Sequence, residues 1–257
     1  MTGKVYLIGA GPGAPDLLTL RAAKLLAQAD IVFYDALVHA DIVALAERAD
    51  KIAVGKRCGK ASTAQRFINK RLVDAAQKYQ VVVRLKGGDP MMFGRAQEEI
   101  TALQEAGVEF SVVPGITAAL AASADLGVSL TRRGISRSVA FVTPRVGPGE
   151  AENEWLQVAA SADTAVLYMA SHEAQEISAR LIAAGRAAST PVAVVENASL
   201  PESRRIYTTL AELPAIAQLG LTGPAIILIG DVYRQSALVS SEIDMAVAQA
   251  IGQRSAA

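Results

Sequence analysis

The chain has 257 residues and is 51% hydrophobic with a mean hydropathy of +0.29, enough for a substantial core in one large domain or two of ordinary size. Its 25 Lys+Arg against 25 Asp+Glu give a formal charge of zero, which argues against a nucleic-acid partner, because phosphate-backbone binding needs a concentrated positive surface. The single Cys58 excludes an intramolecular disulfide, His39 and His172 leave little for a metal site, and no apolar run of about 18 residues suggests a membrane partner, so a cytoplasmic enzyme without metal is the expectation.

Lys4–Gly9 reads as a short strand and Ala10–Pro15 as the loop after it, with a helix expected from about Asp16 whose apolar stripe is Leu17, Leu18, Leu20, Ala23, Leu25 and Leu26. Ile31–Tyr34 is a second strand that delivers Asp35 at its carboxyl end, and this strand–helix–strand unit implies a parallel sheet. The pattern Gly9-x-Gly11-x-x-Ala14 with an acidic residue about 20 positions on fits the permissive dinucleotide fingerprint. Pro12 and Pro15 weigh against it. A pyrophosphate cradle presents backbone N–H groups, and proline has none.

Residues 40–49 look helical, and 51–54 form a third strand leading to Gly55-Lys56-Arg57-Cys58-Gly59-Lys60, a cationic loop at a strand end, where open parallel sheets place their ligands. Ser62 or Thr63 is expected to cap the next helix, with Phe67, Ile68, Leu72 and Ala75 facing the core. The most unusual stretch is 81–95. There a β-branched run breaks into Gly87-Gly88-Asp89-Pro90, with Arg84, Lys86, Asp89 and Arg95 around Met91, Met92 and Phe93. Helix 95–106 carries Glu98 and Glu99 in its first turns, complementing the helix dipole, and Phe110–Val113 is a fifth strand.

Pro114-Gly115 is a turn signal, after which the alternation of strands and helices restarts, so the expected domains are 1–114 and 115–235 with a tail from 236 to 257, helical or disordered. The second half opens on Arg132, Arg133 and Arg137, side chains suited to gripping carboxylates at two points. Strands are expected at 139–143, 164–169, 191–196 and 225–230, with 205–208 pairing antiparallel, a helix at 174–184 ended by Gly185, and a helix or turn at 210–219.

Collected in order, the blocks 5–13, 34–38, 54–57, 83–90, 93–95, 112–119, 130–134, 167–169 and 191–197 make the chain resemble the tetrapyrrole methylase family over nearly all of 4–234, and most closely its branch acting on uroporphyrinogen III. The resemblance implies two α/β domains with S-adenosyl-L-methionine in the cleft between them, and a homodimer. Such a donor has no phosphate to cradle, which removes the difficulty of the two prolines. Carried over residue by residue, it implies cofactor contacts from Pro12, Gly87, Gly88, Asp89, Met92, Thr117, Ala118, Met169 and Ala198. Asp35 is implied as proton acceptor and Lys56 as proton donor, and Arg57, Arg95, Arg132, Arg133 and Arg137 are candidate clamps for the carboxylates of a tetrapyrrole substrate. Ala198 stands where glycine is common, Arg132 where histidine is common, and Met91-Met92 replaces an aromatic–aliphatic pair. The implied reaction is methylation of uroporphyrinogen III at carbons 2 and 7 to precorrin-2, feeding sirohaem or cobalamin. Three alternatives stand beside it: a later precorrin methylase of the same family, a nicotinamide-dependent oxidoreductase, and a tetrapyrrole-binding protein without turnover.

Overall fold

The computed structural model describes residues 2–55, 61–147 and 154–236. By compactness the chain divides into two units, Met1–Ala121 and Ala122–Ala257. The first holds a fully parallel five-stranded sheet built from β1 (Lys4–Gly9), β2 (Ile31–Tyr34), β3 (Asp50–Ala53), β4 (Val81–Lys86) and β5 (Phe110–Val113), in the order β3-β2-β4-β1-β5. Helices α1 (Leu20–Gln28) and α2 (Ala40–Ala44) serve one face and α3 (Ala61–Ala76) and α4 (Ala96–Glu105) the other. Strand periodicity divides the core accordingly. Val5, Leu7, Ile31, Phe33 and Val82 pack with Ile68, Leu72, Ile100 and Leu103, while Ile8, Val32, Val83 and Leu85 pack with Ala22, Leu26 and Ile42. Strand β4 lies at the centre because Val82, Val83 and Leu85 are apolar on both faces, as a strand covered on both sides requires.

The second unit contains most of α5 (Ala118–Leu126), then β6 (Val139–Val142), α6 (Trp155–Ser161), β7 (Thr164–Leu167), α7 (Ala174–Ala183), β8 (Pro191–Glu196), β9 (Arg204–Thr209) and β10 (Ala225–Gly230). Its sheet order is β6-β7-β10-β8-β9, with β6 and β7 parallel and the other pairs antiparallel. Since β10 runs against both β7 and β8, those two strands share a direction and their carboxyl ends lie at the same edge of the sheet.

Three local expectations are corrected. Pro15–Leu17 is a single 3₁₀ turn, and α1 starts only at Leu20, where the Thr19 side chain accepts the Ala22 N–H at 3.2 Å; Leu20 itself is 82% exposed. Helix α2 ends at Ala44 because the following N–H groups of Leu45, Ala46 and Ala49 reach back three residues instead of four. Helix α3 begins at Ala61, so Ser62 and Thr63 lie inside it and not at its cap; Phe67 is 56% exposed, with the Arg71 guanidinium 4.8 Å from its ring centre. The segment 210–219, expected as a helix or turn, is a turn leading into a 3₁₀ run, Leu213–Leu219. Among the described residues no helix is long and apolar enough to cross a membrane, and no group of three or more His, Cys, Asp or Glu side chains is placed to hold a metal ion.

Candidate active site

The five strands of the first unit are parallel, so their carboxyl ends share one edge of the sheet, where the described loops gather. Gly11 and Gly88 exchange backbone hydrogen bonds at 3.1 and 2.7 Å, joining the loops after β1 and β4. The loop after β5 is drawn in by Asp89, whose Oδ2 accepts the Gly115 N–H at 2.9 Å while Oδ1 accepts the Met91 N–H at 2.8 Å. A side chain on Gly9 would lie 2.6 Å from the Gly115 Cα and 2.7 Å from the Gly88 oxygen, so glycine here is a packing requirement. Gly88 has φ 67°, and its Cα faces Thr117 and Ala118. Gly87 abuts Leu37 of the β2 loop. Gly87, Gly88, Asp89, Thr117 and Ala118 are thereby brought together, with Pro12 in the adjoining loop and Met92 a turn beyond Asp89. Small residues and exposed main chain are what a ligand recognised through backbone groups needs.

This junction does not suit a dinucleotide. In that fold the first two strands are neighbours and the helix opens on the glycine loop, so its free N–H groups meet the pyrophosphate. Here β4 lies between β1 and β2, and the helix starts nine residues after Gly11 with its first turn capped by Thr19.

Arg84 and Lys86 do not flank the loop as their position in the sequence suggests. They follow Val82 on the face of β4 that α3 and α4 cover and are buried, with side chains 2% and 3% exposed. Arg84 Nη2 donates to Asp35 Oδ1 at 2.5 Å, Nε to Glu99 Oε1 at 3.0 Å, and Nη1 to the Leu85 and Phe33 carbonyls at 3.2 and 3.5 Å. Lys86 Nζ reaches Glu99 Oε1 at 2.9 Å and Gln65 Nε2 reaches it at 3.1 Å. Glu99 is fully buried, and its Oε2 has no hydrogen-bond partner among the described residues. Burial alone would lower the Arg84 value, but Glu99 and Asp35 together hold it above its ordinary range. Burial, reinforced by the neighbouring Arg84 charge, pushes the Lys86 ammonium down against the pull of Glu99 and Asp35. Asp35 is the outermost member of this quartet, its side chain 29% exposed.

Of the expected arginines, Arg95 sits at a left-handed φ of 56° and is held by Glu98 through two bonds of 2.6 and 2.8 Å. Lys56 and Arg57 lie outside the described residues; the preceding Gly55 packs against the Asp35 and Ala36 backbone.

In the second unit Met169, after β7, and Ala198, after β8, stand at the same sheet edge. Met169 has a positive φ of 56°, and so do Asn197 (52°) and Ser199 (73°) on either side of Ala198; Ala198 itself does not, so alanine carries no backbone strain there. Asp125 fixes this loop, its Oδ2 accepting the Ser199 N–H at 2.8 Å and the Ser203 hydroxyl at 3.0 Å. Glu196 fixes the facing one. It accepts the Thr222 and Gly223 N–H groups at 2.6 and 2.7 Å and pairs with Arg204 at 3.1 Å; burial would raise its carboxyl, but these partners together hold it below the ordinary glutamate value. Arg132, Arg133 and Arg137 are exposed, and only Arg132 lines the cavity of about 480 Å³ bounded by Gly127–Ser129, Tyr207, Val232, Gln235 and Ser236.

Residues 4–214 match the model of the tetrapyrrole (corrin/porphyrin) methylases, and the chain belongs to that family. Within it, the chain is 40% identical to the uroporphyrin-III C-methyl transferase from Thermus thermophilus complexed with S-adenyl homocysteine, with a TM-score of 0.78 over 90% of this chain and 99% of that one. It is 32% identical, with a TM-score of 0.79, to a cobalamin biosynthetic enzyme, cobalt precorrin-4 methyltransferase, over 89% of this chain and 95% of that one. Siroheme synthase from Azotobacter vinelandii is 47% identical over 234 residues, 90% of this chain and 50% of its own length. The chain spans about half the length of the curated relatives it matches.

Proposed function

We propose that the chain catalyses S-adenosyl-L-methionine-dependent C-methylation of uroporphyrinogen III at carbons 2 and 7, giving precorrin-2. The observation that carries this reading is the 40% identity across 99% of the Thermus thermophilus enzyme's chain. The strand-end junction fits the donor: it is lined by Gly87, Gly88, Thr117 and Ala118, it offers main-chain groups, and the two prolines remove donors that only a phosphate would need. Pro12, Asp89 and Met92 complete the first unit's share, and Met169 and Ala198 are the second unit's members of the proposed set.

The donor supplies an electrophilic methyl. An electron-rich pyrrole carbon of the substrate forms the new C–C bond as the S–CH₃ bond breaks, and the ring system then gives up a proton. This chain's residues orient the macrocycle, exclude water and take that proton. Asp35 is the proposed acceptor, since it stands at a strand end with part of its carboxylate exposed and Oδ1 fixed by Arg84. Lys56 is the proposed donor, and Arg57, Arg132, Arg133 and Arg137 the proposed carboxylate clamps. Arg95 joins them only by exchanging Glu98 for a substrate carboxylate. The reading includes a cytoplasmic homodimer that needs no metal. Anaerobic incubation with S-adenosyl-L-methionine and uroporphyrinogen III, followed by product mass, tests the activity, and sedimentation tests the assembly.

A further inference from the structure

A buried ion quartet is a poor way to stabilise a core. Apolar side chains of the same volume are commonly as stable or more so, whereas removing one member of an existing set is costly. The quartet formed by Asp35, Arg84, Glu99 and Lys86 closes the carboxyl end of a layer whose apolar members include Val82, Ile100 and Leu103, with Arg84 level with Phe33 on the neighbouring strand. Its geometry runs in one direction. Lys86 and Gln65 hold Glu99 Oε1, Glu99 holds Arg84 Nε, the Phe33 and Leu85 carbonyls hold Arg84 Nη1, and the remaining Nη2 is aimed at Asp35. With three of its nitrogens engaged by buried acceptors and by the partly exposed Asp35, the guanidinium has one orientation. A lysine at this position would reach one carboxylate at a time.

We propose that Arg84 is a positioning residue: anchored by Glu99 beneath the strand ends, it fixes the Asp35 carboxylate in the direction from which that group takes the substrate proton. This rests on the reading of Asp35 as proton acceptor. Arg84 touches neither substrate nor donor, and its effect on the reaction passes entirely through Asp35. Loss of this orientation corresponds to a displacement of the base of the order of 1 Å, which typically costs about 10²-fold in rate.

The experiment compares Arg84→Lys, Asp35→Asn and the double variant in the full-length protein. Turnover is measured with uroporphyrinogen III, affinity with S-adenosylhomocysteine, and folding by thermal unfolding. The expected result is a roughly 10²-fold fall in kcat for Arg84→Lys with KM and S-adenosylhomocysteine affinity little changed, and a further effect of no more than about two-fold when the same change is made on Asp35→Asn. Equal falls of kcat for Arg84→Lys in both backgrounds would overturn the proposal, since a merely structural role acts regardless of Asp35. Asp35→Asn with full turnover would instead overturn the reading of Asp35 itself. Should Arg84→Lys not fold, Glu99→Gln, which keeps the anchor's shape while loosening its hold on Arg84, takes its place in the same cycle. Additive losses there count against the proposal, and losses that vanish on Asp35→Asn support it.

Discussion

Gly9→Ala probes the junction on which the candidate site is built. The added methyl would stand 2.6 Å from both the Cα and N of Gly115 and 2.7 Å from the Gly88 oxygen, all of them main chain. Ordinary contact begins near 3.4 Å, so the loops after β4 and β5 must withdraw by about 0.8 Å. They resist withdrawal because the Gly11–Gly88 pair and the Asp89–Gly115 bond hold them. Overpacking of this kind costs about 1–3 kcal/mol. A shift approaching 1 Å in loops that position a reactant lowers turnover by about 10- to 100-fold. Gly107→Ala is the matched control: nothing lies within 4 Å of its Cβ, and its φ of 66° makes alanine cost about 1–2 kcal/mol of strain alone. Urea unfolding and S-adenosylhomocysteine titration of both variants give the comparison. Both should lose stability, but only Gly9→Ala should lose affinity. A Gly9→Ala protein as stable and as tightly binding as the parent would refute the claim that these loops meet main chain to main chain.

Two further outcomes follow from the second unit and one from the first. Glu196→Gln should cost about 1–3 kcal/mol at neutral pH, because a charged acceptor of two N–H groups and a guanidinium is neutralised. Since the folded Glu196 value lies below the ordinary 4.5, its contribution is present above that value and is lost as pH falls through the folded one; chemical denaturation should show the gap between parent and variant closing in acid, and a gap constant with pH would contradict this. Asp125→Ala should free the loop that carries Ala198, destabilising by about 1–2 kcal/mol and speeding amide exchange at Ser199; unchanged exchange would show the loop held by other contacts. Lys86→Met should destabilise less than Arg84→Met, because Glu99 keeps two donors in either case whereas only the loss of Arg84 also strips Asp35 and the Phe33 and Leu85 carbonyls of a donor, and equal losses in thermal unfolding would refute that ordering.

The strands were legible because runs such as Val81–Val83 and Val192–Val195 suit a pleated, buried sheet whatever surrounds them. The 3₁₀ turn at Pro15–Leu17 and the early end of α2 were not, since a three-residue reach draws on the same amino acids as a four-residue one and differs only in which carbonyl is within range. At the site, the unusual backbone of 87–90 showed through its composition, and so did Asp35 through its place after a strand. The ion quartet did not. Arg84 and Lys86 alternate with Leu85, which puts them with Val82 on one face of a strand covered on both, but that Glu99 meets them from the following helix depends on how α4 packs back on the sheet. Glu98 and Glu99 look alike as acids in a first turn, yet adjacent helix positions face about 100° apart, so one meets Arg95 at the surface and the other the buried guanidinium. Glu196 and Asp125 were missed for the same reason: their partners are main-chain N–H groups, which every sequence contains and no residue type advertises.

The most direct test of the proposed activity is anaerobic incubation of the purified chain with S-adenosyl-L-methionine and uroporphyrinogen III, read by mass spectrometry. The expected product carries two added methyl groups in place of two hydrogens, with one S-adenosylhomocysteine formed for each. Recovery of unmodified uroporphyrinogen III, with no S-adenosylhomocysteine formed, would contradict it.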